Sequence, residues 1–351
     1  MRAHLLVLVL LVACAPPAPD AEEPRPAWVG EHFTIDTTVE TEQLCAGSVQ
    51  SLDRFIERAF AFLGEPVPDD FVALVEVGDI SVCSPAAHAC YLADPNTSYL
   101  ESLADFDLPL ATLRHELVHA ITWEAWGPSV SFFAEGIAAA LEGPVLVSAP
   151  IPVGDQLTLT TGTLDYGAAA LFTRFLIDTR GLDAFRRMYQ GARSWSEDDI
   201  RALFLEVYGE SLAELEAEYL ASPLGCTYAV DLCEAEGAER VADVWSHSFV
   251  VSCDDPGYVG VRDPSPQVLF TGMWTSMPLR VERAGRYRLR SSGKVELWGC
   301  GACVSPPDGL PSLDTDVELD LDAGLYTLLA PASSTSRAVQ DVELRLVDPA
   351  P

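Results

Sequence analysis

His115-Glu116-Leu117-Val118-His119 is the stretch of this chain whose residue types and spacing carry chemistry most directly. On a helix, positions i and i+4 lie one turn apart on the same face, so both imidazoles reach a single metal ion. Imidazole nitrogens at that spacing suit Zn²⁺, one ion per chain. Glu116, beside the first histidine, is then placed to take a proton from a water on the metal. Zinc lowers the pKa of such a water to about 7, so a carboxylate base suffices near neutral pH. Chance alone produces two histidines and a glutamate at these offsets in roughly one such chain in a hundred. The bland reading is a helix whose histidines merely pack. Against it, Leu110, Leu113, Leu117, Val118 and Ile121 make the helix apolar, as a helix buried around an active site should be.

Downstream, the segment SFFAEGIAAALE from Ser131 places one acid, Glu135, early in an apolar helix. An HExxH sequence followed by an E-G-x-A helix resembles the gluzincin peptidases, zinc metallopeptidases that include thermolysin-like and aminopeptidase-like enzymes. The resemblance implies a mainly helical zincin domain in which His115, His119 and Glu135 hold the zinc and a water takes the open position. The loop through Gly127-Pro128 must then be compact. Glu142 is the competing acid. Two helical turns further on and beside Gly143-Pro144, it is expected to cap the helix or face solvent. Leu164-Asp165-Tyr166-Gly167 opens a long apolar helix, followed by Gly181 and a helix containing Phe185. This order is similar to the helices that follow the zinc site in such peptidases. There the tyrosine opening the helix donates to the oxyanion, which implies Tyr166 as a catalytic residue beside Glu116. The alternative is a packed tyrosine with a wet hydroxyl. The resemblance runs from about Leu108 to Ala221. No G-x-M-E-N-type anchoring motif of aminopeptidases is present, which favours an endopeptidase, with Phe71–Val77 or Ile80–Cys83 as the strand edge for an extended peptide or protein substrate. Asp105 and Asp107 are expected to be N-terminal caps. His32, His88 and His247 have no partner at ligand spacing.

The elements that must position these residues are legible from periodicity. Helices are expected near Ala46–Leu63, Asp107–Trp126, Ser131–Leu141, Tyr166–Thr179, Leu182–Tyr189, Glu197–Tyr208 and Ser211–Ala221. Strand patterns cover His32–Thr38, Phe71–Val77 and Ile80–Tyr91. After Cys233 come Ser248–Cys253, Val259–Val261, Val268–Gly272, Gly285–Ser291, Lys294–Trp298, Asp316–Leu321, Gly324–Leu329 and Asp341–Leu346. The expected fold is a multidomain α+β protein. Residues 31–96 form a small N-terminal α/β subdomain, 97–225 the zincin-like helical core, and 235–349 a C-terminal all-β sandwich.

Composition bounds the rest. The chain has 351 residues, 21 Lys and Arg against 53 Asp and Glu, a formal charge of -32 and 49% apolar residues. That apolar content rules out disorder as the main state, and the charge excludes nucleic acid and anionic lipid as electrostatic partners. Residues 1–13 read as a signal peptide with a short apolar run. Leu11-Val12-Ala13-Cys14 resembles a bacterial lipobox. The resemblance implies lipidation of Cys14, a membrane anchor in the cell envelope and, with Ala15 rather than aspartate next, the outer membrane. Residues 14–30 are a proline-rich tether. The eight other cysteines read as up to four disulfides; Cys300-Gly-Ala-Cys303 as a redox or metal pair is the lesser reading. The expectation is an exported zinc peptidase. Its alternative is an inactive peptidase fold that binds an envelope partner or glycan through the sandwich.

Overall fold

The computed structural model describes residues 27–39, 43–85, 87–103, 110–143, 150–160, 162–193, 196–222, 225–262, 272–300, 316–332 and 339–349. The expectations on Cys14 and the leader, on Asp105 and Asp107, on Cys303 and on most of Val268–Gly272 lie outside them. No helix among the described residues is long and apolar enough to cross a membrane.

The first part runs β1 (Trp28–Val29), β2 (Phe33–Thr37), β3 (Gln43–Leu44), α1 (Ser48–Phe62), β4 (Ala73–Val77), β5 (Ala89–Leu92) and β6 (Thr97–Leu100). Strands β1, β2, β4, β6 and β5 lie side by side in that order; β2, β4 and β6 are parallel, and β1 and β5 are antiparallel edges. In β4 the pleat turns Ala73, Val75 and Val77 inward and leaves Leu74 and Glu76 exposed. In α1, Leu52, Phe55, Ile56, Ala59 and Phe60 recur at helical spacing and are buried.

Two expectations change here. Phe71–Val77 supplies no edge, because β4 is paired on both sides, and Ile80–Cys83 forms turn; of the two edge strands, β5 is the one that reaches the helical part. Thr97–Leu100, expected at the start of the helical part, is the strand β6. All four of its residues are buried, so it lacks the alternation that would have marked it.

The helices follow: α2 (Ala111–Trp126), α3 (Ser131–Leu141), α4 (Tyr166–Arg180), α5 (Leu182–Gly191), α6 (Glu197–Tyr208) and α7 (Leu212–Leu220). Asp165 caps α4 by accepting from the Ala168 N–H, and Ser211 with Glu214 forms a capping box on α7. Helix α2 starts later than expected, after Leu110, which sits fully buried at φ 67°. A branched residue in the left-handed region is strained, and here it turns the chain into the helix that bears the HExxH motif.

The C-terminal strands are β7 (Glu239–Val241), β8 (Val244–Val250), β9 (Val259–Arg262), β10 (Met273–Val281), β11 (Gly285–Ser291), β12 (Glu296–Gly299), β13 (Asp316–Leu321), β14 (Gly324–Ala332) and β15 (Val339–Pro349). One sheet orders β12, β14, β10, β9 and β3, with β7 also on β10; the other orders β13, β11, β15 and β8. Trp245, Tyr287, Leu289, Val342 and Leu344 of the smaller sheet meet Leu279, Val281, Tyr326 and Leu328 of the larger. The larger sheet is covered on its other side too. Its Val259, Val261, Trp274, Trp298 and Leu329 belong to the same core as Phe55 of α1 and Leu117 of α2. Strand β3, from far upstream, completes this sheet, and Cys45–Cys253 staples it there. Cys83–Cys90 and Cys233–Cys300 are the other pairs formed between described residues, and Cys226 is also disulfide-bonded. With Cys300 joined to Cys233, the CxxC segment is not a local redox or metal pair.

One charge is sealed within this shared core. Arg114 is 0% exposed and lies across Asp231, 2% exposed, with contacts of 2.8 and 3.3 Å. The rings of Phe55 and Trp274 lie 4.9 and 5.4 Å from its guanidinium carbon. Asp231 belongs to a strap, residues 225–233, that also grips the neighbouring helices. Thr227 Oγ1 donates to Gly143 O, Tyr228 N to Ala140 O, and Arg174 Nη1 to the carbonyls of Cys226 and Thr227. Removing one partner of such a pair leaves a buried charge unanswered, which costs about 3–5 kcal/mol. Asp231→Ala should therefore lower the unfolding free energy read from urea denaturation by that much; a loss near zero would show that water answers Arg114 instead.

Candidate metal centre

His115 and His119 sit one turn apart on α2, their rings 4.9 Å apart at 78°. Helix α3 packs against α2, and the Glu135 carboxylate meets both imidazoles. Its Oε2 is 3.0 Å from His115 Nε2 and 3.1 Å from His119 Nε2. The three ligand atoms lie within 4.8 Å of one another, and His115 and Glu135 are buried. Gly136 permits the next layer. A Cβ there would stand 2.5 Å from Thr173 Oγ1 and 2.9 Å from Ala169 O, so only glycine lets α4 press onto α3. That approach brings Tyr166, the first residue of α4, to 5.7 Å from the His115 ring, 37% exposed on the cleft.

The charges show what the cluster is suited to hold. His115 Nδ1 is 2.7 Å from Glu142 Oε2 while its Nε2 faces Glu135, so the ring meets a carboxylate on each side. Burial alone would lower its pKa, but the hydrogen bonds to Glu135 and Glu142 lift it well above the usual imidazole range. Glu135 has the mirror situation: burial would raise it, and the two histidines hold it well below ordinary carboxylates. The site thus calls for positive charge between these groups, from protons or from a metal cation. Two imidazoles and a carboxylate make a borderline donor set that fits a divalent transition metal. With Nδ1–H donating to Glu142, the His115 Nε2 lone pair is left for the ion. Glu116 points beside this spot. Its Oε2 is buried without a hydrogen-bond partner, and burial raises its pKa against the opposing pull of His119 and His115. An orphaned carboxylate oxygen beside three convergent ligands has room and reason to take a water.

Glu142 takes the helix-end position expected of it, but its carboxylate is not left to solvent. It is the C-cap residue of α3, and its carboxylate turns back onto His115. Nothing in the periodicity marks this; only the packing of α3 on α2 brings the two together. Tyr91 of β5, stacked at 6.4 Å on His119, was equally invisible, and burial with the nearby Glu124 pushes its phenol up to about 12. The cluster opens into a cleft of about 640 Å³. The free edge of β5 and the loop closed by Cys83–Cys90 form one wall, α2 the floor, and Ser129, Ser131, Glu142, Tyr166 and Tyr189 the rest. Of the other histidines, His88 pairs with Glu101 at the surface and His247 stacks with Trp245. His32 comes within 3.8 Å of Glu57, beside Glu31, in a largely exposed group.

No family model and no curated protein matches the chain. Among solved structures it is similar to Legionella pneumophila aminopeptidase A in complex with aspartic acid, at 10% identity and a TM-score of 0.34. The match covers 87% of this chain and 34% of that one, so the chain spans about a third of that protein's length. A likeness this low carries no weight for activity, which has to be argued from the site.

A carboxylate that fixes a ligating imidazole is worth about tenfold to a hundredfold in metal affinity. Competition titration with Zn²⁺ as probe should show that loss for Glu142→Gln and no tight site at all for His119→Ala. Unchanged affinity in Glu142→Gln would mean that the ring is held without it.

Proposed function

We propose that the chain is a zinc-dependent peptidase that cuts within extended peptides. The carrying observation is the convergence of His115, His119 and Glu135 beside the unpaired Glu116 carboxylate, on the floor of a cleft walled by a free strand edge. Zinc held by those three residues supplies Lewis-acid polarisation of the scissile carbonyl. The chain's own groups do the remainder. The β5 edge offers backbone N–H and C=O groups to an extended substrate, holding it across the cleft. Glu116 takes the proton of the attacking water and returns it to the amine that leaves. Tyr166, on the cleft side of His115, donates its hydroxyl hydrogen to the oxyanion that develops on the carbonyl oxygen. Glu142 keeps the His115 ring in register. The cleft needs no free substrate terminus in this scheme, which is why an endopeptidase is favoured.

The disulfides support an exported protein, since such bonds persist in oxidising compartments. With the lipobox-like Leu11–Cys14, they support a working position in the bacterial cell envelope.

The test is incubation of the zinc-loaded protein with an unbiased peptide mixture, with new termini read by mass spectrometry. Wild-type protein should generate internal cuts, and Glu116→Gln should lower the rate by about 10²–10⁴-fold while retaining zinc. Equal cleavage by both would remove Glu116 as the base. Cleavage by neither, with zinc bound, would remove the peptidase.

A further inference from the structure

Among the described residues the cleft is lined by no Lys or Arg. Between Arg58 and Arg174 the sequence holds fifteen Asp and Glu but a single base, Arg114. That stretch supplies every cleft-lining residue except Tyr189, and Arg114, buried against Asp231, is not among them. The described lining includes three carboxylates, Glu116, Glu135 and Glu142. A divalent ion offsets two of those three charges, so the cleft stays negative when loaded. Low-dielectric walls concentrate that potential at the opening.

The cleft is also asymmetric. Beyond His119 the floor continues through Thr122 to Trp123, which is 41% exposed; Tyr91 stands in the same lining, and Tyr189 is buried beneath it. Glu124 follows Trp123 in sequence, and its charge reaches Tyr91. An exposed indole in an acidic cleft attracts a cation through its ring face and through the net charge together. The long aliphatic stem of Arg or Lys can lie along the same rings. An acidic side chain meets repulsion from both ends of the cleft.

Building on the peptidase reading above, we propose that the cleft selects cationic peptides and that the part of it lined by Tyr91 and the exposed Trp123 receives an Arg or Lys side chain of the substrate. The paired bases elsewhere in the chain fit this division. Arg174, Arg180 and Arg201 are each engaged with a carboxylate, and none lines the cleft.

The probes are end-blocked octapeptides of Gly, Ser and Ala carrying one Arg, Leu or Glu at each position in turn. Binding is measured on full-length, zinc-loaded Glu116→Gln protein, and turnover on wild type. Arg peptides should bind about tenfold or more tighter than Glu peptides, with the gap shrinking as salt is raised. Trp123→Ala should weaken Arg peptides at one position by about tenfold and leave Glu peptides as they were. Glu124→Gln should narrow the Arg-to-Glu gap. Equal or tighter binding of Glu peptides, or an Arg preference indifferent to Trp123, overturns the proposal even where peptides are cleaved. Binding in the expected order without turnover would retain it and remove the peptidase instead. Binding of none of the peptides would overturn both.

Discussion

A guanidinium shut away from water needs an anion against it, and Arg114 finds one only in Asp231, more than a hundred residues downstream. The residue after Arg114 is His115. The pair therefore sets the depth and rotation of the motif helix from its hidden side, while Phe55 and Trp274 close over the charge from α1 and from the larger sheet. Through Thr227, Tyr228 and Arg174 the same strap fixes the C-terminal end of α3 and the body of α4. These are the elements that carry Glu135, Glu142 and Tyr166. Breaking the ion pair would disturb α2 first, and the strap's own bonds to Gly143, Ala140 and Arg174 connect that disturbance to the elements forming the other walls.

On that frame the site's polarity is graded. Glu142 touches His115 from outside, Glu135 joins both histidines from inside, and Glu116 is left with an oxygen that no protein group satisfies. Each carboxylate has a different number of partners, and the proposed division into ligand, orienting contact and base rests on that inequality. Gly136 belongs to this arrangement as much as the charged residues do, since a methyl group there would hold α4 away from α3.

The motif and the helices around it were legible because each signal is local. HExxH spacing follows from the helical turn, and the apolar periodicity of α3, α6 and α7 is bounded by Gly or by capping serines. What escaped was non-local. Strand β6 is buried on both faces and shows no alternation. Strand β10 contains Pro278, which ordinarily argues against a paired strand; here it falls between the stretches joined to β9 and to β7, where that side needs no ladder bond. Likewise β3, two residues long, acquires meaning only through β9, and Glu142 only through the approach of α3 to α2. The sandwich strands β11 and β13 were read to the residue, yet the fusion of their partner sheet with the helical core depends on Trp274 and Trp298. Their indoles carry no mark in the sequence of which side they will face.

Cys45 and Cys253 are 208 residues apart, and Asp231 lies well into the second half of the chain. As the polypeptide is threaded out of a ribosome or a translocon, its first half emerges with Arg114 unanswered and with no partner for β3. About two thirds of the chain must emerge before Asp231 can answer Arg114 beside the two histidines. A message truncated early, or a protease that clips the strap, thus yields fragments incapable of assembling the cluster. The architecture gives the cell a built-in delay between making the polypeptide and releasing whatever reactivity it holds.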